Sequence, residues 1–558
     1  MIGAKATAAA FGEEVGWHAI DWTKANRVVR RLQARIVKAV QEGDWRRVKR
    51  LQRFLTNSFS GRACAVRRVI ENKGKNTPGV DGETWNHPEA KTRAVLSLRK
   101  RGYRPRPLRR IYIPKANGKQ RPLGIPTMKD RAMQALHLLA LEPVAETTAD
   151  LNSYGFRRNR RTQDAAEKLF HVLAKDYSPK WILDADITGC FDNISHEWLI
   201  ANIPMDKDIL RKWLKCGFIE KQRLFPTQAG TPQGGIISPT LANMALNGME
   251  KTLRDRFGNK EKRRRLSQIN IARYADDFVI TGRTEEHLEQ AKESITEFLR
   301  ERGLSLSPEK TRIAHIDEGF DFLGWNFRKY DGKLLIKPAE KDVTNHVRKI
   351  QGIIKEMRTA KQEDLIRRLN PLIKGWANYH SNQVSKATYQ KVDHLTWQKL
   401  WKWAKRRHPN KGLRWIKGRY FHRVGHRDWI FGVRTKTREG EGLYRLAFHA
   451  DTPIRRHVQI KAEANPFDPK WEIYFEEREA RLMNRVLTGK LKSLWKQQEG
   501  TCPICQQQCT LNQEWVIHHI THRAKGGSDT LDNLQLLHGN CHRQVHAKHE
   551  LDELPVLQ

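Results

Sequence analysis

Two adjacent carboxylates, Asp276 and Asp277, lie between two short apolar runs at residues 269–272 and 278–281. The runs have the length and composition of β-strands, so the spacing predicts a hairpin with both aspartates at its tight turn. Adjacent carboxylates repel each other, and oxygen-rich sites suit Mg²⁺. Two such ions, held about 3.5–4 Å apart, are a standard device for nucleotidyl transfer. The alternative is a solvated turn that carries Asp for its turn chemistry.

A nucleotidyl-transfer site also needs a carboxylate on a neighbouring strand. Residues 181–187 (WILDADI) form a short apolar strand pattern that is interrupted by Asp184 and Asp186. A period of two places both side chains on the same face of the strand, so periodicity does not choose between them. Phe191 follows Asp186 by five residues and precedes Asp192-Asn193.

Together, these segments resemble reverse transcriptases. In that family a strand aspartate five residues before an aromatic residue coordinates two Mg²⁺ ions. The resemblance therefore selects Asp186, together with Asp276 and Asp277, as the catalytic metal ligands. It also implies that Phe191 closes against the 2′ position of the incoming sugar and rejects ribonucleotides. For Asp184 we expect a structural role in a hydrogen bond or a salt bridge.

Further motifs resemble one branch of this family, the reverse transcriptase–maturases encoded within group II introns. Residues 76–82 (NTPGVDG) look like their early fingers motif, and residues 113–126 look like the next, a β-hairpin turned at Asn117-Gly118. The ammonium of Lys115 is a compact positive charge, and the guanidinium of Arg121 is a planar group with several N–H donors. Both suit phosphate oxygens. The resemblance implies that they bind the triphosphate of the incoming dNTP. An ordinary basic hairpin in contact with solvent is the alternative.

The motifs follow the family's order over roughly residues 70–330. Residues 153–157 (SYGFR) match a template-contacting segment, and residues 320–325 (FDFLGW) look like the primer-gripping turn that ends the palm. Beyond the palm, residues 343–373 keep helical spacing, and residues 375–380 (GWANYH) resemble the maturase thumb, called domain X.

Two of these motifs add candidates for nucleotide contact. Residues 231–239 (TPQGGIISP) resemble the template and nucleotide platform, where Gln233 would hydrogen-bond to the nascent base pair. Residues 304–311 (LSLSPEKT) match a later palm motif that contains Lys310. The resemblance implies that Lys310 donates a proton to pyrophosphate, and a solvated lysine is the alternative.

Basic segments flank the polymerase motifs. Residues 24–72 predict helices, and the resemblance implies that this extension holds intron RNA, with a solvated charge run as the alternative. In residues 397–431 aromatic residues alternate with Lys and Arg, a pattern typical of nucleic-acid binding, although about half of these aromatics are expected in a core. Resemblance alone suggests DNA binding for residues 432–495. The apolar stripe of the first segment comprises Val28, Leu32, Ile36, Ala39 and Val40.

Composition limits the class of protein. A chain of 558 residues is too long for one hydrophobic core, so several domains are expected. The 103 Lys and Arg against 62 Asp and Glu give a formal net charge of +41, which favours a polyanionic partner, and 17 Trp and 19 Phe argue against disorder. No apolar run is long enough to span a membrane, and residues 1–10 are too short for a secretory leader. The seven cysteines do not form a secreted disulfide framework, so a cytoplasmic location is expected.

A second constellation lies near the C-terminus. Cys502 and Cys505 form a CxxC pair, and His538 and Cys541 form an HxxC pair. The soft donor set of three sulfurs and one nitrogen fits a closed, structural Zn²⁺ site. Cys509 is a competing ligand whose spacing places it outside the set. Because metal binding in a small domain is coupled to folding, we expect loss of this zinc to unfold only the C-terminal tail.

The histidines around these pairs resemble those of HNH endonucleases, the ββα-metal nucleases. The resemblance implies that His519 is the general base that activates water and that Asn533 orients it. It assigns no role to His522. It implies one divalent metal ion, expected to be Mg²⁺, held by three other histidines: His518, His542 and His546. A purely structural zinc ribbon is the alternative.

The predicted architecture is an α+β multidomain protein with a right-hand polymerase. Its parts are a basic helical extension (1–72), fingers and palm (73–335), an α-helical thumb (336–425), a DNA-binding region (426–495) and a zinc-stapled nuclease (496–558). The resemblance implies a protein that helps its intron RNA to splice, nicks target DNA and copies the RNA into DNA from that nick.

Two other classes of protein compete with this interpretation. The first is a non-enzymatic RNA-binding splicing cofactor, and the three palm aspartates argue against it. The second is a free-standing reverse transcriptase with another purpose, such as one linked to defence or CRISPR, and the thumb signature and the nuclease argue against that. Oligomeric state is not predicted by any of these motifs.

Overall fold

The computed structural model describes residues 16–114, 118, 120–258, 266–437, 440–511 and 513–552. Lys115, Asn117 and the apolar start at residues 1–10 lie outside these described residues. Among the helices that are described, none combines the length and the apolar character that crossing a bilayer requires.

Three helices begin the described chain and pack on the fingers: α1 (Trp22–Gln41), α2 (Trp45–Asn57) and α3 (Phe59–Glu71). Each is capped by a side chain that accepts a hydrogen bond from a backbone N–H of the first turn. The predicted stripe is confirmed in part, because Ile36 and Ala39 are buried while the other members are half-buried. The arginines of α1 are exposed: Arg27, Arg30, Arg31 and Arg35.

The fingers and palm alternate helices and strands. Their elements are α4 (Pro88–Ser97), β1 (Leu108–Pro114), β2 (Gln120–Ile125), α5 (Met128–Thr147), α6 (Thr162–Leu173), β3 (Trp181–Asp186), α7 (Cys190–Asn193), α8 (His196–Asn202), α9 (Lys207–Leu214), β4 (Phe218–Glu220), β5 (Arg223–Phe225), α10 (Ser238–Leu246), α11 (Met249–Phe257), β6 (Asn270–Tyr274), β7 (Asp277–Gly282), α12 (Glu285–Arg300), β8 (Arg312–His315), β9 (Phe320–Phe322), β10 (Trp325–Tyr330) and β11 (Lys333–Pro338). The fingers sheet has the order β2-β1-β4-β5, with β1 and β2 antiparallel, so the predicted basic hairpin is confirmed.

The palm sheet is antiparallel and has the strand order β6-β7-β3-β8. Apolar side chains such as Leu183, Phe278 and Ile280 are buried, and α12 packs on β7 and β3. The register places Asp186 directly opposite Asp277. Because residues in such pairs lie about 4.5–5.5 Å apart, the two predicted strands bring their carboxylates together.

The thumb is helical and consists of α13 (Glu340–Glu356), α14 (Gln362–His380), α15 (Lys386–Arg407) and α16 (Leu413–Tyr420). Its core contains apolar side chains at helical spacing, such as Leu365, Leu369 and Ile373 of α14. The domain X motif forms the end of α14, where Trp376 Nε1 donates a hydrogen bond of 2.8 Å to Asp342.

A three-stranded antiparallel sheet follows the thumb: β12 (Phe421–Val424), β13 (Arg427–Thr437) and β14 (Gly440–Arg445). Phe421 and Phe431 join Trp403 in the thumb core, so part of the aromatic-rich segment is core, as expected. The predicted boundary between residues 425 and 426 falls inside this sheet, because β12 and β13 pair across it.

Residues 455–465, here called the return segment, bring the chain back from the thumb to the palm. Asp164 of α6 accepts hydrogen bonds of 2.8 Å from the backbone N–H of Ile460 and from Arg478 Nη2. Arg160 donates hydrogen bonds to the carbonyls of Ala462 and Ala464. Two helices follow, α17 (Glu472–Val486) and α18 (Gly489–Gln497).

The C-terminal part has two antiparallel strands and one helix: β15 (Trp515–His519), β16 (Leu534–His538) and α19 (Gly539–Asp552). The strands are joined by a loop at residues 520–533. This is the ββα order that the resemblance implied. The packing places histidines of β15 and α19 side by side.

Candidate active sites

A buried guanidinium holds the turn that carries the two adjacent carboxylates. β6 ends at Tyr274 and β7 begins at Asp277, and Ala275 between them has a φ of +59°. Arg273 is only 1% exposed, and its Nη1 atom donates hydrogen bonds of 3.2 Å to the carbonyl of Ala275 and to Asn243 Oδ1. The predicted hairpin is therefore confirmed, and its turn is fixed from inside the protein.

The segment at residues 153–157 supports this turn. Tyr154 N–H donates to the carbonyl of Arg273, and a Cβ atom at Gly155 would lie 2.4 Å from the backbone nitrogen of Ala275. Glycine is needed there because the two backbones touch. Tyr154 is buried, and Phe156 is 53% exposed. Of this motif, Phe156 is thus the side chain that a template could contact.

Three carboxylates converge at the palm. Burial, together with repulsion from Asp186 and Asp276, raises the pKa of Asp277 to about 7. Burial and repulsion from Asp186 also raise the pKa of Asp276. The ammonium of Lys310 forms an ion pair with Asp186. These shifts show a group of oxygen donors with too little positive charge around it, which fits hard divalent cations such as Mg²⁺.

Asp184 lies on the same strand but pairs elsewhere. Its Oδ2 atom is 3.7 Å from Nε of Arg312, which forms the salt bridge that we expected. Burial raises the pKa of Asp184 to about 6, and the guanidinium of Arg312 opposes that shift.

A cavity of about 350 Å³ adjoins the palm and is lined by Phe191 and Gln233, among others. Phe191 packs edge-to-face on Phe156, with 6.0 Å between the ring centroids. Gln233 Nε2 donates a hydrogen bond of 3.2 Å to Asp192 Oδ2. The main-chain carbonyl of Gln233 accepts a hydrogen bond of 2.7 Å from the backbone N–H of Gly124. The positive charge of Arg121 opposes the rise in the pKa of Asp276, so the fingers hairpin faces the carboxylates.

The zinc-ligand set predicted from spacing comes together in the structure. One ligand atom from each of Cys502, Cys505, His538 and Cys541 lies within 4.8 Å of the others, and all four residues are buried. Cys505 Sγ and His538 Nδ1 are 3.3 Å apart. Cys509 is buried nearby but is not part of this set. Soft donors in a closed, buried cluster fit a structural zinc ion.

The histidines of the C-terminal part form a second cluster. One nitrogen from each of His518, His542 and His546 lies within 4.8 Å of the others. The ring of His522, which received no role from the sequence, lies 4.9 Å from that of His546. The three side chains are buried or half-buried, and the cluster fits one divalent metal ion.

His519 points to a different partner from the one expected. Its Nε2 atom is 2.8 Å from Asp529 Oδ1, and Arg523 Nη2 donates a hydrogen bond of 2.6 Å to the same oxygen. These hydrogen bonds lower the pKa of Asp529 to about 2. The prediction that Asn533 orients His519 is wrong. Its amide instead bonds to the backbone of Thr521 and Ser528 and holds the loop closed.

Sequence reasoning missed Asp529 and Arg523 because a loop has no periodicity that would indicate which side chains face the histidine. The available signal was a negatively charged side chain in the loop between the two strands, and it did not distinguish Asp529 from Asp532.

The fold and the two sites define a right-hand polymerase that is joined to a ββα-metal nuclease. Family models match four consecutive segments: the N-terminal domain of reverse transcriptase (17–98), reverse transcriptase (RNA-dependent DNA polymerase) (113–327), the group II intron maturase-specific domain (343–421) and HNH endonuclease (502–548). The chain therefore belongs to the group II intron-encoded reverse transcriptase–maturases that carry an HNH endonuclease domain.

Two relatives are similar in sequence to about half of this chain. The chain is 33% identical over 315 residues to protein YkfC of Escherichia coli K12. The aligned residues cover 50% of this chain and 82% of YkfC. It is 32% identical over 327 residues to the group II intron-encoded protein LtrA of Lactococcus lactis, which covers 47% of this chain and 54% of LtrA. The match thus spans about half of LtrA. A solved telomerase from Candida albicans, bound to a fragment of telomeric RNA, superposes with a TM-score of 0.33 at 12% identity over 56% of this chain and 64% of that one.

Replacing Asp277 by Asn should stabilise the magnesium-free protein at alkaline pH. With its pKa raised to about 7, Asp277 in the folded protein holds a proton that the unfolded chain releases near pH 4, so stability falls as pH rises between these values. The amide of an asparagine does not titrate and carries no such penalty. We expect a gain on the order of 4 kcal/mol at pH 8 that shrinks toward zero near pH 4.

The measurement is urea unfolding of both proteins across this pH range in magnesium-free buffer. Asp331→Asn, at an exposed turn, is the control and should show no pH-dependent gain. Magnesium should reverse the order of stability at pH 8, because Asn lacks the charged oxygen. A gain that is equal at pH 4 and pH 8 would contradict the electrostatic account.

Proposed function

We propose that this protein binds its intron RNA, assists its splicing, and copies it into DNA from a primer that its own nuclease creates in target DNA. The observation that carries the proposal is the register of the palm sheet, which sets Asp186 opposite Asp277 with Asp276 in the adjoining turn. Membership of the group II intron-encoded family supports the order of these events.

In the palm, Asp186, Asp276 and Asp277 would hold two Mg²⁺ ions. When bound, such ions activate the attacking hydroxyl and stabilise the leaving oxygen. The hydrogen bond to Asp186 raises the pKa of Lys310, so its ammonium stays protonated at neutral pH and can give a proton to the departing pyrophosphate. Arg121 and Lys115 would bind the triphosphate oxygens of the dNTP.

Two side chains at the cavity would read the nucleotide. The ring of Phe191 would pack against the sugar where a 2′-hydroxyl would otherwise sit. Gln233 would contact the nascent base pair, since its backbone is bonded to Gly124 and its side chain lines the cavity. A Cβ atom at Gly234 would lie 2.6 Å from the carbonyl oxygen of Gly124, so the close approach of these two backbones beside the cavity requires glycine.

In the nuclease, His519 would accept the proton of the attacking water at its Nδ1 atom, while Nε2 donates to Asp529, which Arg523 in turn holds in place. His518, His542 and His546 would hold the divalent ion, which when bound stabilises the leaving oxygen. Three imidazole nitrogens suit Zn²⁺ or Ni²⁺ better than Mg²⁺, so we propose one of these in place of the expected magnesium.

The distribution of charge supports polyanionic partners. Exposed arginines line α1, and a cavity of about 550 Å³ between α13 and α15 is lined by Lys355, Arg358, Lys402 and Arg406. Cations in such positions neutralise phosphates. We propose that α1 contacts intron RNA, that the thumb contacts the template–primer duplex, and that residues 426–495 contact target DNA.

Asp276→Ala should reduce the rate of primer extension on an RNA template by at least about 100-fold, because it removes a carboxylate that would hold metal at the reacting phosphate. Asp184→Asn is the matched control, since Asp184 is a nearby palm carboxylate that pairs with Arg312. It should lose far less activity. Intron RNA binding, measured by filter retention, should be unchanged in both variants. Normal extension by Asp276→Ala would exclude the assigned role.

Phe191→Val should admit ribonucleotides by opening space at the sugar. We expect the ratio of kcat/KM for deoxynucleotides to that for ribonucleotides to fall by about 10–100-fold, the range typical of a lost apolar contact. Single-nucleotide incorporation assays measure both values. An unchanged ratio would show that Phe191 only packs against Phe156.

His519→Ala should slow nicking of target DNA by about 10²–10⁴-fold without changing zinc content, the size expected for loss of a general base. Asp529→Asn should give a smaller loss, because the base remains but its orientation is weakened. Asp532→Asn is the control, as Asp532 lies in the same loop and bonds to Thr530. Strand-specific nicking and metal analysis measure these effects. Equal losses in Asp529→Asn and Asp532→Asn would reject the role of Asp529.

A further inference from the structure

The N-terminal helices pack directly on the cysteine site of the nuclease. Trp17 and Trp22 are each 2% exposed and belong to the same apolar cluster as Cys502, Cys505 and Cys541. The two segments lie at opposite ends of the described chain. Their shared core is at odds with the expectation that loss of zinc would unfold only the C-terminal tail.

Polar contacts join the same two parts, and they fall on residues next to the zinc ligands. Trp17 Nε1 donates a hydrogen bond of 3.1 Å to Asn540 Oδ1, between His538 and Cys541. Gln544 Nε2, one turn beyond Cys541, donates to the carbonyls of His18 and Ile20 at 2.6 and 3.1 Å. A movement of the ligands would therefore pull on the segment that leads into α1.

Arg67 of α3 supplies the charge at this contact. Its Nη2 atom lies 3.8 Å from Cys541 Sγ, and its guanidinium packs 4.9 Å from the ring centroid of Trp22. Arg67 is 7% exposed, and its Nη1 atom is buried with no hydrogen-bond partner among the described residues. Its Nε atom is bonded to Glu71 at 2.9 Å.

This arrangement matches the electrostatics of the ligand set. Three thiolates and one neutral imidazole around Zn²⁺ carry one net negative charge. A buried charge is costly without a partner of opposite sign, and groups that contact metal ligands tune the affinity of the site. A buried guanidinium against a ligand sulfur is such a partner.

We propose that the zinc site joins the nuclease to the N-terminal helices. Arg67, which contacts a ligand sulfur and not the metal itself, couples the two parts. Zinc binding fixes the thiolates, the thiolates fix Arg67, and Arg67 with Trp17 fixes the start of α1. The nuclease is thus held on the extension proposed to bind RNA. This coupling does not depend on the proposed nicking or DNA synthesis.

The test uses the full-length protein with His546→Ala as background, so that the tightly bound zinc belongs to the cysteine site. Zinc affinity is measured by competition with a chromophoric chelator. Arg67→Leu should lower the affinity by about 10–100-fold, the usual effect of losing such a partner. Arg68→Leu is the matched control, because Arg68 is the next residue of α3 but pairs with Glu142. It should leave the affinity unchanged.

Hydrogen–deuterium exchange supplies a second readout. Removal of zinc from the background protein should raise exchange in residues 17–30 together with residues 500–511, while the palm strands stay protected. Trp17→Phe keeps an aromatic ring but removes the bond to Asn540, and it should release zinc several-fold faster. This variant keeps the test decisive if Arg67→Leu does not fold.

Two results would overturn the proposal. One is equal zinc affinity in Arg67→Leu, Arg68→Leu and the background protein. The other is increased exchange that is confined to the C-terminal part when zinc is removed. Primer extension on an artificial template confirms in each case that the palm is folded.

Discussion

Repulsion among carboxylates is the constraint on which the polymerase part depends. Asp186, Asp276 and Asp277 are held together by a sheet register and a tight turn that cannot spread without breaking backbone hydrogen bonds. Arg273 fastens the turn from below, and Gly155 allows a second backbone to lie against it. The folded backbone therefore offsets the repulsion among the three carboxylates. Lys310 and cations that bind there would balance their negative charge.

The nuclease part has two clusters of possible metal ligands, and they differ in their donor atoms. The sulfur-rich set is closed and fully buried, which suits a permanent staple. The histidine cluster is partly open and stands beside a loop that carries Asp529 and Arg523. One small domain therefore offers a closed set of sulfur donors for a structural metal ion beside a partly open set of histidines.

Short-range spacing explains why so much of this could be predicted from sequence. Periodicity located β3, β6 and β7, and the CxxC and HxxC pairs located the four residues that cluster in the nuclease part, because each of these signals depends on neighbours in one strand or turn. Contacts between distant segments leave no such signal. The burial of Tyr154 under the catalytic turn, the pairing of His519 with Asp529 in preference to Asn533, and the packing of Arg67 on Cys541 each depend on tertiary structure.

The return segment has a consequence for how the thumb can move. The thumb leaves the palm after β11, and the chain comes back at residues 455–465, where Asp164 accepts hydrogen bonds from both Ile460 and Arg478. The helical thumb is therefore attached to the palm at both ends of its sequence. The two attachments lie side by side, because Ile460 of the return segment and Tyr379 of the thumb belong to one apolar cluster with Trp325. Any movement of the thumb that admits a duplex would therefore be limited by this one shared contact region.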